Sequence, residues 1–393
     1  MHPRKLARRR WRRRLLSTPV ISTAAVVATS VITVTAYAAS GSNTPLSDHL
    51  VGRQPDGSVL TAANQYITPA GVNIEQTGRP MDLEVSPDGK TAVDLTKSGN
   101  GLFTVVDLVN HKVLQQYRPP SGVGSNNIGV GGLLYSPDGR TLWATQVSDI
   151  LKFDVAEDGT LSNPQVIPLP ADSSVPKSPS GSPAQPLPSD LAWTPDGSHI
   201  LVVLDGWDRL GVLDPATNKL VAQVNVGVAP RDVVVVGNHA FVSNEAGRKP
   251  TSTDFTNLSY NSPVVAEPVN GRASTGTVTE VDLATNKVVK HYTVGLDPSS
   301  MVVHGTEVLV TNSSDDSVSV IDTEAQEVTQ TFNVNPLPGQ PFGSNPNALE
   351  FIDDTHLVVS LGRNNALAVY EYHGGRQAAS FQGLIPTAWY PGT

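Results

Sequence analysis

The sequence predicts an all-β fold, a seven-bladed β-propeller of four-stranded blades in which the seventh blade is incomplete. Three observations carry this. A unit of polar or Pro-containing lead-in, apolar strand, tight turn and second apolar strand recurs six times, at spacings of roughly 40 to 68 residues. The 33 Gly and 31 Pro suit a turn-dense β fold. The body of the chain shows no convincing three-to-four periodicity of the kind an amphipathic helix requires.

The elements follow in chain order. The opening "MHPRKLARRRWRRRLL" carries eight Lys or Arg and no acid, and "STPVISTAAVVATSVITVTAYAAS" follows it. This is the charged and apolar pattern of a secretory signal over residues 1–38, with Ala36-Tyr37-Ala38 as a small-x-small cleavage site. The arginine pairs suggest the twin-arginine export route. An uncleaved anchor is the alternative, but the Thr and Ser that interrupt the apolar run favour cleavage. Residues 39–56 read as a linker and 57–393 as the propeller.

Removal of the signal leaves 19 basic residues against 36 acids, a net charge of −17. Such a chain is a poor ligand for nucleic acid or an anionic membrane. The location expected is secreted or cell-envelope. The absence of cysteine excludes disulfides, thiolate metal sites and cysteine nucleophiles.

The first and second strands of the six blades lie in "RPMDLEVSPDGKTAVDL", "GVGGLLYSPDGRTLWAT", "LPSDLAWTPDGSHILVV", "APRDVVVVGNHAFVSN", "DPSSMVVHGTEVLVTN" and "NPNALEFIDDTHLVVSL". In the "SPDG" turns Pro87 presets the first turn position and Gly89 takes the left-handed one. Third strands end in an acid, as in "FTVVDL" and "VSVIDT". Asp107, Asp154, Asp214, Asp282 and Asp322 therefore read as caps of the next turn, one per blade, rather than as a metal ring. Blades 1 to 6 occupy about 79–382. Residues 57–78 hold short strand-like runs expected to supply outer strands of blade 7, and 383–393 its start. On this reading the ring has a gap beside blade 6.

Two insertions interrupt the repeat. "PADSSVPKSPSGSPAQPLP" before blade 3 reads as a mobile excursion. Residues Glu245 to Thr275 of blade 4, with three prolines, read as a surface excursion and not a blade of their own.

Catalytic signatures are missing from the sequence. The histidines are scattered, four of them (His199, His239, His304 and His356) at the turn between first and second strands. There is no H-E-x-x-H and no G-x-S-x-G, and "GVGSNNIGVGG" opens no helix that could cradle a phosphate. No metal, cofactor or catalytic residue is assigned. The lead-in residues Arg79, Asp82, Asp190, Arg231, Asp232 and Asn347 should crowd around the mouth of the central channel and suit a small polar ligand. A mutually neutralising ring that merely closes the tunnel is the competing reading. Arg248, Lys249 and Asp254 of the blade 4 insertion are a second candidate set.

The segment "VLVTNSSDDSVSVIDTEAQEV" resembles a YVTN-type propeller repeat. "NEAGRKPTSTDF", "PVNGRASTGTVTEVDLATNKVV", "GSNPNALEF" and the terminal "GLIPTAWYP" resemble the propeller half of exported bacterial proteins that join such a propeller to a phosphoesterase of the alkaline phosphatase superfamily. The resemblance covers about residues 56–393. It implies that "IPTAWYP" opens the seventh blade and that a phosphoesterase domain follows in a longer protein. The family's metal ligands and nucleophile lie in that domain, so none falls on a residue here.

The function expected is an exported, non-catalytic binding or docking scaffold for a small polar ligand or a cell-wall component. The alternatives are a propeller lactonase-type hydrolase, with Asp82, Asp190 or Asp232 as base, and a cell-surface adhesion or structural protein. N-terminal sequencing of exported material should begin at Ala39, and a membrane-held chain with its basic segment intact would overturn cleavage.

Overall fold

Strands whose residues are apolar at every position are buried on both faces, and the order in which they are buried dictates the architecture. In the second strand of blade 3, Ile200, Val202 and Leu204 join a core with Trp143 and Ile150 of blade 2. The intervening Leu201 and Val203 join a core with Ala240 and Val242 of blade 4. The period of two thus sends alternate side chains to opposite neighbours, which is how blades stack face to face. Five such cores fill the five interfaces from blade 1/blade 2 to blade 5/blade 6.

The computed structural model describes residues 50–392 except 62–64, 98–100, 126, 178–180, 260–261, 338 and 340–342. The expected signal segment, 1–38, lies outside the described residues. The fold is an all-β, seven-bladed propeller with six complete antiparallel four-stranded sheets. Their inner strands are Arg79–Val85, Leu133–Tyr135, Pro188–Trp193, Val228–Val236, Pro298–His304 and Pro346–Phe351. Each is followed by three further strands in meander order towards the rim. Blade 6 ends with Ser380–Pro386, paired through Ala366 to Pro386 and Leu367 to Ile385. Its outer strand therefore runs four residues beyond the expected boundary at 382, because the apolar Leu384 and Ile385 complete its ladder.

The seventh position is bridged without a four-stranded sheet. No core of buried side chains joins blade 6 to blade 1 among the described residues. Strands Gly52–Arg53, Val59–Leu60 and Tyr66–Ile67 form a small sheet of their own. The chain leaving it is tied to blade 6 by Asn365 Nδ2 to Gln65 Oε1 at 3.1 Å and Ala70 N–H to Pro386 O at 2.9 Å. It reaches blade 1 at Gln76, which donates to the buried Asp94. At the other end of the chain, Tyr390 N–H donates to Asn365 and Asn347 Nδ2 to Pro391 O, which folds the terminal motif over the start of blade 6.

The turn chemistry follows the residues. Gly89, Gly139 and Gly197 have φ of 74°, 74° and 70°. Asp88 accepts the Ser86 hydroxyl and the Lys90 N–H, and Asp138 and Asp196 repeat both bonds. Asp107, Asp214, Asp282 and Asp322 cap backbone N–H groups of the next turn. Asp154 instead accepts Asn163 Nδ2 at 2.9 Å, where a register shift displaces the outer pairing of blade 2.

Neither insertion is loosely attached. Val175 and Ala184 of the Pro/Ser-rich segment, with Leu169 just before it, are buried with Trp207, whose indole N–H donates to Ala184 O at 2.7 Å. Val175 and Ala184 thus anchor this excursion, while residues 171–174 and 181–183 are exposed. The blade 4 insertion forms a separate hairpin, Thr256–Ser259 with Ser262–Val265. Its Val264 and Ala273 pack on Val228, Ala229 and Ala246.

Asn244 and Asn312, fully buried at the same position of blades 4 and 5, lock their blades internally. Asn244 Oδ1 accepts Gly227 N–H at 2.9 Å, while Nδ2 reaches Thr277 and Thr279. A Cβ on Gly227 would meet the Asn244 side chain at 2.5 Å, so the glycine is required for this approach. Asn244→Ala should cost about 2–3 kcal/mol in denaturant unfolding, against about 0.5–1 for Asp88→Ala at an exposed turn. Equal costs would overturn the assignment of Asn244 as an internal lock.

Candidate functional site

In an up-down meander, the lead-in to the inner strand and the loop from second to third strand emerge at the same end of the blade. The capped turns occupy the other end. Each lead-in of blades 3 to 6 is a residue in the left-handed region followed by proline: Leu187, Ala229, Asp297 and Asn345, with φ of 45°, 52°, 58° and 54°. In all four the register shifts immediately after the proline. Proline cannot donate to the ladder, so a bulge is accommodated there, and the bulge re-aims the next side chains.

Two of the expected mouth residues are aimed sideways. Asp190 Oδ2 accepts Val233 N–H of blade 4 at 3.1 Å, and Asp232 Oδ2 accepts Met301 N–H of blade 5 at 2.6 Å. Asp82 holds the corresponding place in blade 1 and accepts Leu83 N–H at 2.9 Å. Arg79 is exposed at the start of blade 1, and Asn347 is bonded to Pro391 O. Asp190 and Asp232 are thus held in contacts between blades, and Asn347 in one with the end of the chain.

Arg231 is the exception. Its Nε lies 2.8 Å from Glu245 Oε1, and its Nη1 4.0 Å from Asp205 Oδ2. Asp205 sits on the loop between second and third strands of blade 3, opening a short 3-10 turn, Asp205–Trp207. Glu245 lies near the end of the second strand of blade 4, His239–Gly247, and Asp297 is the left-handed residue leading into blade 5. Sequence reasoning missed these three acids. Their signal is positional: "LDGWD" and "SNEAG" place acids at the end of a second strand, which shares its end of the blade with the lead-ins.

The electrostatics are unusual. The Asp205 side chain is only 5% exposed, and burial pushes its carboxyl up to about 7. The Glu245 and Asp208 charges add to that rise, and Arg231 opposes it. Burial also raises Glu245 and Asp297, again with Arg231 opposing. Arg231 and Glu245 remain 33% and 28% exposed, so the group opens to solvent. Next to it the buried Asp208 accepts Ala229 N–H and the Ser262 hydroxyl, which ties the insertion hairpin to the same loop.

In that insertion Arg248 and Asp254 form a two-pronged pair, both contacts at 2.7 Å, and Asp254 also accepts Thr251 N–H. These bonds hold the Asp254 carboxyl well below the usual range. The pair folds the loop on itself. Lys249 adds positive charge near Asp208 and His291. Among the described residues no group of three or more His, Asp or Glu is arranged to hold a metal ion.

No family model matches the chain, and no curated protein does. Solved structures resemble it in fold. The periplasmic gluconolactonase of Pseudomonas aeruginosa superposes with a TM-score of 0.58 at 16% identity, over 88% of this chain and 97% of that one. Hydrazine synthase of Kuenenia stuttgartiensis gives 0.56 at 15%, over 83% and 92%. Virginiamycin B lyase of Staphylococcus aureus gives 0.54 at 14%, over 80% and 86%. At these identities the likeness establishes the propeller and nothing finer.

A carboxyl raised in the folded state keeps its proton where the unfolded chain has lost it. Between the ordinary 3.8 and about 7, the folded state therefore binds more protons, and stability falls as pH rises. Asp205→Asn should reduce this fall, with a residue remaining from Glu245 and Asp297. Urea midpoints at pH 5 and 7.5 check it, and an unchanged slope would overturn the assignment.

Proposed function

We propose that this chain is a binding propeller whose channel mouth, around Arg231, receives a small polar ligand or a cell-wall component. The observation that carries this is the Arg231, Asp205 and Glu245 group, charged and open to solvent at the end of the blades where lead-ins and long loops converge. Rigid strands position the group, while the lead-in acids Asp190 and Asp232 are held in contacts between blades.

The YVTN-like repeat and the terminal "GLIPTAWYP" support a place for the chain beside a phosphoesterase domain, with this chain as its non-catalytic docking half. The basic and apolar N-terminal segment supports export and a secreted or cell-envelope location. Among the described residues no helix is long and apolar enough to cross a membrane.

A lactonase-type hydrolase is the second reading, favoured by one observation. Asp205 is a carboxyl raised to about 7 at an open mouth, a value suited to a general base near neutral pH. It would take the base role expected of Asp82, Asp190 or Asp232.

Calorimetric titration of the chain with soluble peptidoglycan fragments should give saturable binding without turnover, weakened at least about tenfold, ~1.4 kcal/mol, by Arg231→Ala. An aryl phosphate should be hydrolysed only at background rate, with or without zinc, calcium or manganese. Turnover of gluconolactone abolished by Asp205→Asn would overturn the scaffold reading in favour of the hydrolase.

A further inference from the structure

The group at the mouth holds more negative charge than its cations balance. Asp205 and Glu245 contact the guanidinium of Arg231, and Asp297 stands within electrostatic reach of Arg231 and Glu245. Arg231 commits its Nε to Glu245 at 2.8 Å and comes no closer than 4.0 Å to Asp205. Asp205 is about nineteen-twentieths buried and accepts no side-chain or backbone hydrogen bond among the described residues, although a buried carboxylate ordinarily accepts several. Its one charged contact among the described residues is the 4.0 Å approach of Arg231.

We propose that the Asp205, Glu245 and Asp297 group is a cation-binding subsite that takes the amino group of an organic amine, with Asp205 accepting its N–H. This deepens the ligand-binding reading of the mouth and rests on it. The chemistry is one-sided. Once ionised, the three acids offer only acceptors, and an ammonium brings three donors and one positive charge. A neutral hydroxyl would supply one donor and leave the charge uncompensated. An anion would meet three carboxylates and find Arg231 already paired.

The site is braced on both sides. The loop of Asp205 is pinned by Trp207, buried and bonded to Ala184 O at 2.7 Å. Asp208, at the far end of the same short turn, is held by Ala229 N–H at 3.0 Å and by Ser262 at 2.8 Å. An acceptor held this firmly needs little reorganisation when the cation arrives.

The subsite has a definite pH dependence. Asp205 is faced by Arg231 from the inner strand of blade 4, by Glu245 from its second strand and by Asp208 from its own turn. Asp297 faces Arg231 and Glu245 from the lead-in of blade 5. Burial keeps a proton on Asp205 below about pH 7. A cation must displace that proton, so binding should strengthen from acid to mildly alkaline pH and release protons.

Three five-carbon probes of matched length separate the possibilities: cadaverine, 1,5-pentanediol and glutarate, titrated into the full chain by calorimetry at pH 5.5 and 8. Cadaverine should bind saturably at pH 8, about tenfold more weakly at pH 5.5, and the diol and glutarate not at all. Asp205→Asn and Glu245→Gln should each weaken cadaverine about tenfold or more, with melting temperature as the check on folding. Cadaverine binding that both folded variants retain would overturn the subsite, and so would binding of glutarate in its place. Glutarate binding lost in Arg231→Ala would leave the mouth a ligand site of the opposite charge. If none of the three binds while peptidoglycan fragments do, the amine inference alone falls.

Discussion

The ring depends on a few directed hydrogen bonds where one blade meets the next. Among the described residues no backbone ladder crosses between blades, so side-chain packing and individual hydrogen bonds fix how far one blade is rotated against its neighbour. The bulge that follows each lead-in proline supplies the fixing point. It leaves two consecutive N–H groups outside the ladder, and buried donors must find partners. In blade 4 the first, Asp232 N–H, donates to Ser243 Oγ of the same blade, and the second, Val233 N–H, to Asp190 of blade 3. In blade 5 the same two bonds run from Ser300 to Thr311 and from Met301 to Asp232. Hydroxyls add a third link, with Ser189 donating to Pro230 O, Ser243 to Ser299 O and Ser313 to Pro346 O.

That device explains the aspartate two residues after the proline in "LPSD" and "APRD". It satisfies a strained backbone in the next blade, and its carboxylate is directed along the ring. From sequence alone the same aspartates look like ligands at a channel. The ambiguity is physical. A residue pattern shows that acids gather at one end of the blades, but the bulge that rotates their side chains by one register step is a property of the folded ladder.

Much else was legible, for reasons that can be stated residue by residue. The turn glycines and the capping aspartates act through bonds to residues two to five positions away, so their geometry is local and sequence suffices. The alternation that sends Leu201 and Leu204 to different neighbours is read directly from an unbroken apolar run. Asp205, Glu245 and Asp297 were not legible, since they meet only because three blades stack in a set rotation. Tertiary closure also hid the fate of the Pro/Ser-rich excursion. Its Val175 and Ala184 look incidental in the sequence, yet they cover Trp207, one of the largest fully buried side chains. The register of blade 6 was hidden as well, because Ser380–Pro386 alternates too weakly to announce a strand.

The two ends of the propeller have therefore been given different chemistry by one topology. At the end with capped turns, each acid is matched to N–H donors a few residues away, and several such carboxyls are held below their ordinary range. At the end with lead-ins, burial raises Asp205, Glu245 and Asp297 above theirs. Excess buried charge destabilises a fold, and raised carboxyls mark where it has not been neutralised. A structural role would favour one arginine for one acid, as Arg248 and Asp254 make in the insertion. At the mouth, two acids contact one guanidinium and a third stands near it, on a loop pinned by Trp207 and Asp208. Strain left at a well-braced place is what a binding site requires, because relief on ligation then adds to affinity and is not lost to rearrangement of the scaffold.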